Sequence, residues 1–230
     1  MSVFAIGDLH LSLGTDKPMN IFSGWNDFEK RLENNWRALV KDTDTVVIAG
    51  DISWAMKLKD TYQDFQFINS LPGRKLLIKG NHDYWWETRK KMETYFYENH
   101  FDTLKIIFNS AEVAEEYAVC GTRGWFYDAE NDADKKVLNR EVGRLKTSIE
   151  EALKTDNARP LVFLHYPPVY GSQRCDEILN VLKEYRIDRC YYGHLHGKQT
   201  FRKAVTGEFE GIDFHLISAD YLSFVPMLIR

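Results

Sequence analysis

Three apolar runs in the first eighty residues stop in the same way. Val3-Phe4-Ala5-Ile6 ends at Gly7-Asp8, Val46-Val47-Ile48-Ala49 ends at Gly50-Asp51, and Lys75-Leu76-Leu77-Ile78 ends, past Lys79, at Gly80-Asn81. Short continuous runs bounded by glycine predict strands buried on both faces. A helical pattern follows each, over residues 26–41, 57–70 and 84–98. Such alternation pairs strands in parallel with right-handed crossovers. In sheets of this kind the functional crevice lies beyond the carboxyl ends of the strands. The polar residues that close the three runs sit at those ends.

The remainder of the chain is organised differently. Residues 104–122 read as two or three strands in a meander. Residues 129–155 form the longest helical pattern, with Val137, Val142, Leu145, Ile149 and Leu153 as its apolar stripe. A strand over 161–164 ends at His165, residues 175–186 are helical, and a strand over 189–192 ends at Gly193-His194. The tail, 199–229, reads as antiparallel strands punctuated by Gly207 and Gly211. The segment 11–25 has no strong periodicity and is long for a simple connection, so it is expected to act as a lid. The whole chain, 1–230, is expected to form one α/β domain of two mixed sheets with outer helices.

Five elements at run ends carry metal-binding side chains: Asp8 and His10, Asp51, Asn81 with His82 and Asp83, His165, and His194 with His196. If extension continues past Gly7, Asp8 and His10 lie on one side and share an ion. His194 and His196 have the same spacing. Asp8 with His10, and Gly50-Asp51, are each weak alone, because Asp caps helices and Gly-Asp occurs in many turns; Gly80-Asn81-His82-Asp83 is a stronger signal and Gly193-His194-Leu195-His196 stronger again. All five in order, each ending an apolar run, form a specific pattern. Imidazole, carboxylate and amide donors without thiolate suit Mn, Fe or Zn ions. A carboxylate between two cations can hold them ~3.5–4 Å apart, and a water bridging them becomes a nucleophile near neutral pH.

Composition removes several classes. No window approaches the ~18 apolar residues of a membrane span. The N-terminus lacks the basic stretch and cleavage site of a signal peptide. Cys120, Cys175 and Cys190 are odd in number and form no Cys-x-x-Cys pair, which predicts reduced thiols and a cytoplasmic setting. Net charge is −4, with 30 basic and 34 acidic residues and no basic tract. Nucleic-acid binding therefore has little electrostatic support, while a negative total does not exclude an anionic substrate.

The order Asp-x-His, Gly-Asp, Gly-Asn-His-Asp, His, Gly-His-x-His resembles the calcineurin-like metallophosphoesterase superfamily, with motifs spanning residues 8 to 196. The resemblance implies a four-layer α/β/β/α sandwich with a binuclear metal site at one sheet edge. It implies that Asp8, His10 and His196 hold one divalent ion and that Asn81, His165 and His194 hold the other, with Asp51 bridging both. His82 would then be the catalytic acid facing the substrate, oriented and made more basic by Asp83. The implied reaction is hydrolysis of a phosphomono- or phosphodiester of a small molecule or nucleotide, so a small phosphorylated substrate is the expected partner. A nuclease is the first rival reading, and a non-catalytic scaffold of the same fold is the second.

Substrate contacts are less defined. Arg123 and Arg174 lie on expected loops and are candidates to clamp a phosphate. Trp25, Trp54, Tyr84, Trp85 and Trp86 fall near the motif loops. Trp85 and Trp86, directly after Gly-Asn-His-Asp, are the candidates to wall the pocket.

Overall fold

The computed structural model describes residues 1–125 and 131–230. Its strands are β1 (Val3–Ile6), β2 (Thr45–Ala49), β3 (Arg74–Ile78), β4 (Leu104–Ile106), β5 (Glu112–Ala114), β6 (Tyr117–Thr122), β7 (Arg159–Leu164), β8 (Val169–Tyr170), β9 (Gln173–Arg174), β10 (Arg189–Tyr192), β11 (Gly207–Phe209), β12 (Ile212–Leu216) and β13 (Met227–Leu228). Its helices are α1 (Phe28–Leu39), α2 (Tyr62–Ser70), α3 (Arg89–Glu98), α4 (Asp132–Leu153), α5 (Asp176–Glu184) and the short α6 (Lys198–Phe201). One sheet has the order β13-β1-β2-β3-β4 and the other β11-β12-β10-β7-β6-β5. Strands β1 to β4 are mutually parallel, as are β6, β7, β10 and β12.

Period-two alternation assigns each strand residue to one of two cores. Val3 and Ala5 of β1 and Val47 of β2 pack against Val119 of β6 and Phe163 of β7, filling the space between the sheets. Their neighbours Phe4, Ile6 and Ile48 turn outward, onto Phe28 and Trp36 of α1, Phe65 of α2 and Met92 of α3. On the second sheet Cys120, Val162 and Tyr192 turn outward onto Leu145 of α4 and Leu179 of α5. The layers are helix, sheet, sheet, helix. Each fully buried Val, Leu, Ile or Phe contributes roughly 1.5–3 kcal/mol, so both faces of these strands are energetically committed. Lys75 is an exception within β3: it is fully buried, and its ammonium donates to the carbonyls of Leu71 and Gly73, just past the end of α2. Burial pushes its pKa down to about 7.

Several expectations are corrected. Residues 104–122 are not a meander: β4 joins the first sheet beside β3, while β5 and β6 belong to the second. A meander strand would leave one face to solvent, whereas all six residues of β6 are buried. The tail is only partly antiparallel, because β12 runs parallel to β10, while β13 pairs antiparallel with β1 in the other sheet. Residues 57–70 divide into a tight 3-10 turn at Leu58–Thr61 followed by α2. α3 starts only after Thr88, whose side chain accepts from the Lys91 amide as its cap. The expected start of the 129–155 helix falls on residues 129 and 130, outside the described residues. No helix among the described residues is long and apolar enough to cross a membrane. All three cysteines are buried free thiols.

Candidate metal centre

The parallel strands bring the motif loops together. The Gly7 amide donates to the Ile217 carbonyl (2.7 Å), the Asp8 amide to Gly50 (2.9 Å), and the His10 amide to Asp51 (2.9 Å). These bonds lace the ends of β1 and β2 to the chain leaving β12. Extension does not continue past Gly7, contrary to expectation. Asp8, His10, Asp51 and His194 all have positive φ, between 48° and 71°. Left-handed backbone at non-glycine residues costs on the order of 1–3 kcal/mol each and persists where surrounding structure over-determines it. The donors are thus aimed by turns, not by strand alternation. Two glycines admit them: a methyl group at Gly80 would overlap the Asp51 amide nitrogen and carboxylate, and one at Gly193 would overlap the Asp8 carboxylate.

Two donor groups result. Asp8, His10 and His196 offer ligand atoms within 4.8 Å of one another, and so do Asp51, His165 and His194. Asp51 Oδ2 lies 3.7 Å from His10 Nε2 and 3.5 Å from His165 Nε2, between the groups. Asn81 Oδ1 lies 2.6 Å from His165 Nε2 and 2.9 Å from His194 Nδ1.

The tautomers test whether a cation fits. His165 Nδ1 donates to the Ala49 carbonyl at 3.0 Å, so its Nε2 lone pair faces Asn81 Oδ1, another acceptor. His196 Nδ1 donates to Asp220 Oδ1 at 2.9 Å, and its Nε2 faces His10 Nε2 at 3.1 Å. The converging lone pairs of His165 and Asn81 repel one another unless positive charge lies between them, and the facing nitrogens of His10 and His196 need a proton or a cation between them, so the residues fit metal ions. The electrostatics agree. Burial lowers the pKa of His10, His165 and His194, the last to about 3, keeping those rings neutral. Burial and then the Asp8 charge push Asp51 up to about 8. Burial opposes charge on His196, but Asp220 and Asp8 outweigh it and hold its pKa at about 10. The site favours positive charge where carboxylates and ring nitrogens meet.

A cavity of about 420 Å³ adjoins both groups, lined by His10, Asp51, His82, His194 and His196. Met19, Phe22, Trp25 and Trp54 line it as well, with Ser23, Gly197 and Asp220. Trp54 stacks on His10 (4.8 Å) and tilts against His82 (4.5 Å). Lys17 holds its ammonium 3.4 Å from the Trp54 ring centre. His82 donates its amide to Asp51 Oδ1 (2.7 Å), and its Nδ1 lies 3.3 Å from the Tyr84 hydroxyl.

The structure corrects the remaining site expectations. Asp83 does not orient His82. Its Oδ1 accepts from the Ile52 and Ser53 amides and from Trp85 Nε1, and its Oδ2 accepts from the Gly80 amide. It is a buried staple between two ligand loops, and burial raises its own pKa to about 6. His82 is lowered, by burial first and by the charge of His165 next, not raised. Trp85 is 1% exposed and belongs to the core beneath the loop; Trp86 packs on that core too, and the walls are Trp25 and Trp54 instead. Arg174 pairs with Asp176 and Glu210, and the Arg123 guanidinium faces Glu141 and Trp125. Neither arginine lines the cavity. Arg123 contributes through its carbonyl, which accepts from the amides of His165 and Tyr166.

Sequence reasoning missed Asp220. Besides holding His196, it accepts from the Gly197 amide at 3.0 Å. A signal existed, since Phe214-His215-Leu216-Ile217 is another apolar run, closed by Ser218-Ala219-Asp220. Without glycine at its end, that run did not match the others.

Residues 1–198 match the family described as calcineurin-like phosphoesterase. Among solved structures, a protein of unknown function from Aquifex aeolicus aligns with a TM-score of 0.55 at 17% identity, covering 99% of this chain and 95% of that one. A phosphopantetheinyl hydrolase from Mycobacterium tuberculosis aligns with a TM-score of 0.57 at 13% identity, with the same two coverages. At these identities the likeness is one of fold. No curated protein matches by sequence.

Proposed function

The chain belongs to the calcineurin-like phosphoesterase family, and on that premise we propose that it hydrolyses a small phosphoester with two divalent cations. The observation that carries the proposal is the meeting of two donor groups at one cavity. Asp8, His10 and His196 would hold one ion, Asn81, His165 and His194 the other, and Asp51 would lie between. When bound, such ions supply Lewis acidity toward phosphoryl oxygens and an activated water.

The chain's own residues do the rest. His82 lines the same cavity, with Trp54 limiting its ring and Tyr84 at Nδ1. Protonated on both ring nitrogens, His82 would donate Nδ1–H to the Tyr84 hydroxyl oxygen and pass its Nε2 proton to the leaving oxygen, returning as neutral imidazole. Burial lowers its pKa, which makes that imidazolium a stronger acid and favours it toward lower pH. The lining contains no Lys or Arg among the described residues, which favours a small ester over a nucleic-acid strand. Three buried thiols support a reducing, cytoplasmic setting. The direct test is release of p-nitrophenolate from bis(p-nitrophenyl) phosphate with added Mn²⁺. A rate no higher than that of the chelated protein would overturn the proposal.

Asp220 gives a sharper check on the ligand set. A carboxylate behind a metal-bound imidazole fixes its tautomer and raises its basicity. Asp220→Ala is expected to weaken one of two metal affinities by about 10–100-fold, leaving the other intact. Calorimetric metal titration reads both sites. Equal weakening of both would place His196 differently.

A further inference from the structure

We infer that the substrate is the phosphoester of an uncharged, largely apolar alcohol, whose chain lies against Met19 and Trp25 and leaves along Phe22. The inference rests on the phosphoesterase reading above and concerns the apolar lining of the same cavity.

That lining is built, not incidental. Trp25 is 3% exposed and is held edge-on by Phe28 (5.1 Å) and Phe224 (5.0 Å). It also meets the rings of His10 (5.8 Å) and His196 (5.7 Å), so apolar surface begins directly beside the donor groups. Met19 is fixed by the Trp54 indole N–H, which donates to its sulfur at 3.3 Å. The root of this segment is tied down, because the Leu13 amide donates to buried Asp64 (2.8 Å), which also accepts from Ser53. The lining then opens toward solvent: Phe22 is 52% exposed and Ile21, beside it in the chain, 74%. Apolar lining therefore begins beside the donor groups at Met19 and Trp25 and reaches a solvent-exposed side chain at Phe22.

Charge points the same way. A nucleotide, a polyphosphate or a sugar phosphate carries further anions or hydroxyls that need partners along their length. The cavity lining among the described residues offers no Lys or Arg away from the donor groups. Arg123 and Arg174 are turned into ion pairs elsewhere, and the Lys17 ammonium is engaged over the Trp54 ring. A polar tail would be stripped of water against Met19, Phe22 and Trp25, with little beyond the Ser23 hydroxyl to offer a hydrogen bond in return. An alkyl or aryl tail gains from the same burial. A volume of about 420 Å³ falls within the usual range for small-molecule sites.

The experiment uses the Mn²⁺-loaded protein and a series of p-nitrophenyl alkyl phosphodiesters. kcat/KM is expected to rise about fourfold per methylene from methyl to butyl. Dissociation constants of the matching alkylphosphonates, measured by calorimetry, are expected to tighten in parallel, with an increasingly negative heat-capacity change. Phe22→Ser, at an exposed position that the fold tolerates, is expected to lower the hexyl-to-methyl ratio of kcat/KM by about fourfold or more, roughly one methylene of lost contact. A flat series, or faster turnover of thymidine 5′-(p-nitrophenyl) phosphate than of the hexyl ester, would overturn the inference and leave the phosphoesterase reading standing. Failure to hydrolyse any ester would overturn that reading and the inference together.

Discussion

His82→Ala is expected to keep both metal ions and lose turnover of an alkyl phosphodiester by roughly 10²–10⁴-fold, the range of a single general acid. Metal is retained because His82 belongs to neither donor group. Turnover falls because an alkoxide leaves poorly without a proton. The loss is expected to shrink to a few-fold for a p-nitrophenolate leaving group, which departs without protonation, so the ratio of the two losses is the informative quantity. Equal losses on both esters would assign His82 to substrate binding instead. Because Asp83 staples the Ile52 and Gly80 loops and makes no contact with the His82 ring among the hydrogen bonds described, Asp83→Asn tests something else. Its damage is expected in stability and metal content, without the leaving-group dependence that marks proton transfer.

Asp51→Asn is expected to lose both metals together, read by elemental analysis after gel filtration. The carboxylate stands between His10 and His165 and would contribute charge to both ions, so one neutral amide removes it from each. The fold should tolerate the change. Burial already pushes the Asp51 pKa up to about 8, and Asn can still accept from the His82 amide through its Oδ1. The metal-free variant is therefore expected to melt close to metal-free wild type, while the stabilisation that added Mn²⁺ gives the wild type disappears. Stabilisation by a ligand follows its concentration relative to its dissociation constant, so a lost site shows as a melting temperature insensitive to metal. A variant that still binds two ions would contradict the position assigned to Asp51.

Much of this protein was readable from residue order. The local apolar runs give β1 at Val3–Ile6 and the carboxyl ends of β2 and β7, although those two strands start earlier, at Thr45 and Arg159, and the donors follow those ends. The layered architecture also follows, since strands buried on both faces need cover on both. What failed were inferences that depended on where a chain goes next. The run at 104–108 looks like a neighbour of 117–121, yet the two lie in different sheets. Asp8 and His10 reach one cluster through left-handed turns, although their spacing suggested an extended strand.

The sequence alone determined the donor chemistry and its location at strand ends, because residue type and apolar periodicity are local properties. Tertiary structure decided which of five motif-loop aromatics face the cavity, that Asp83 ties loops together instead of serving His82, and that Asp220 stands behind His196. Each of those outcomes is a contact between segments distant in the chain. Such contacts are set by how two sheets and their helices fill space, a constraint that no short stretch of residues carries.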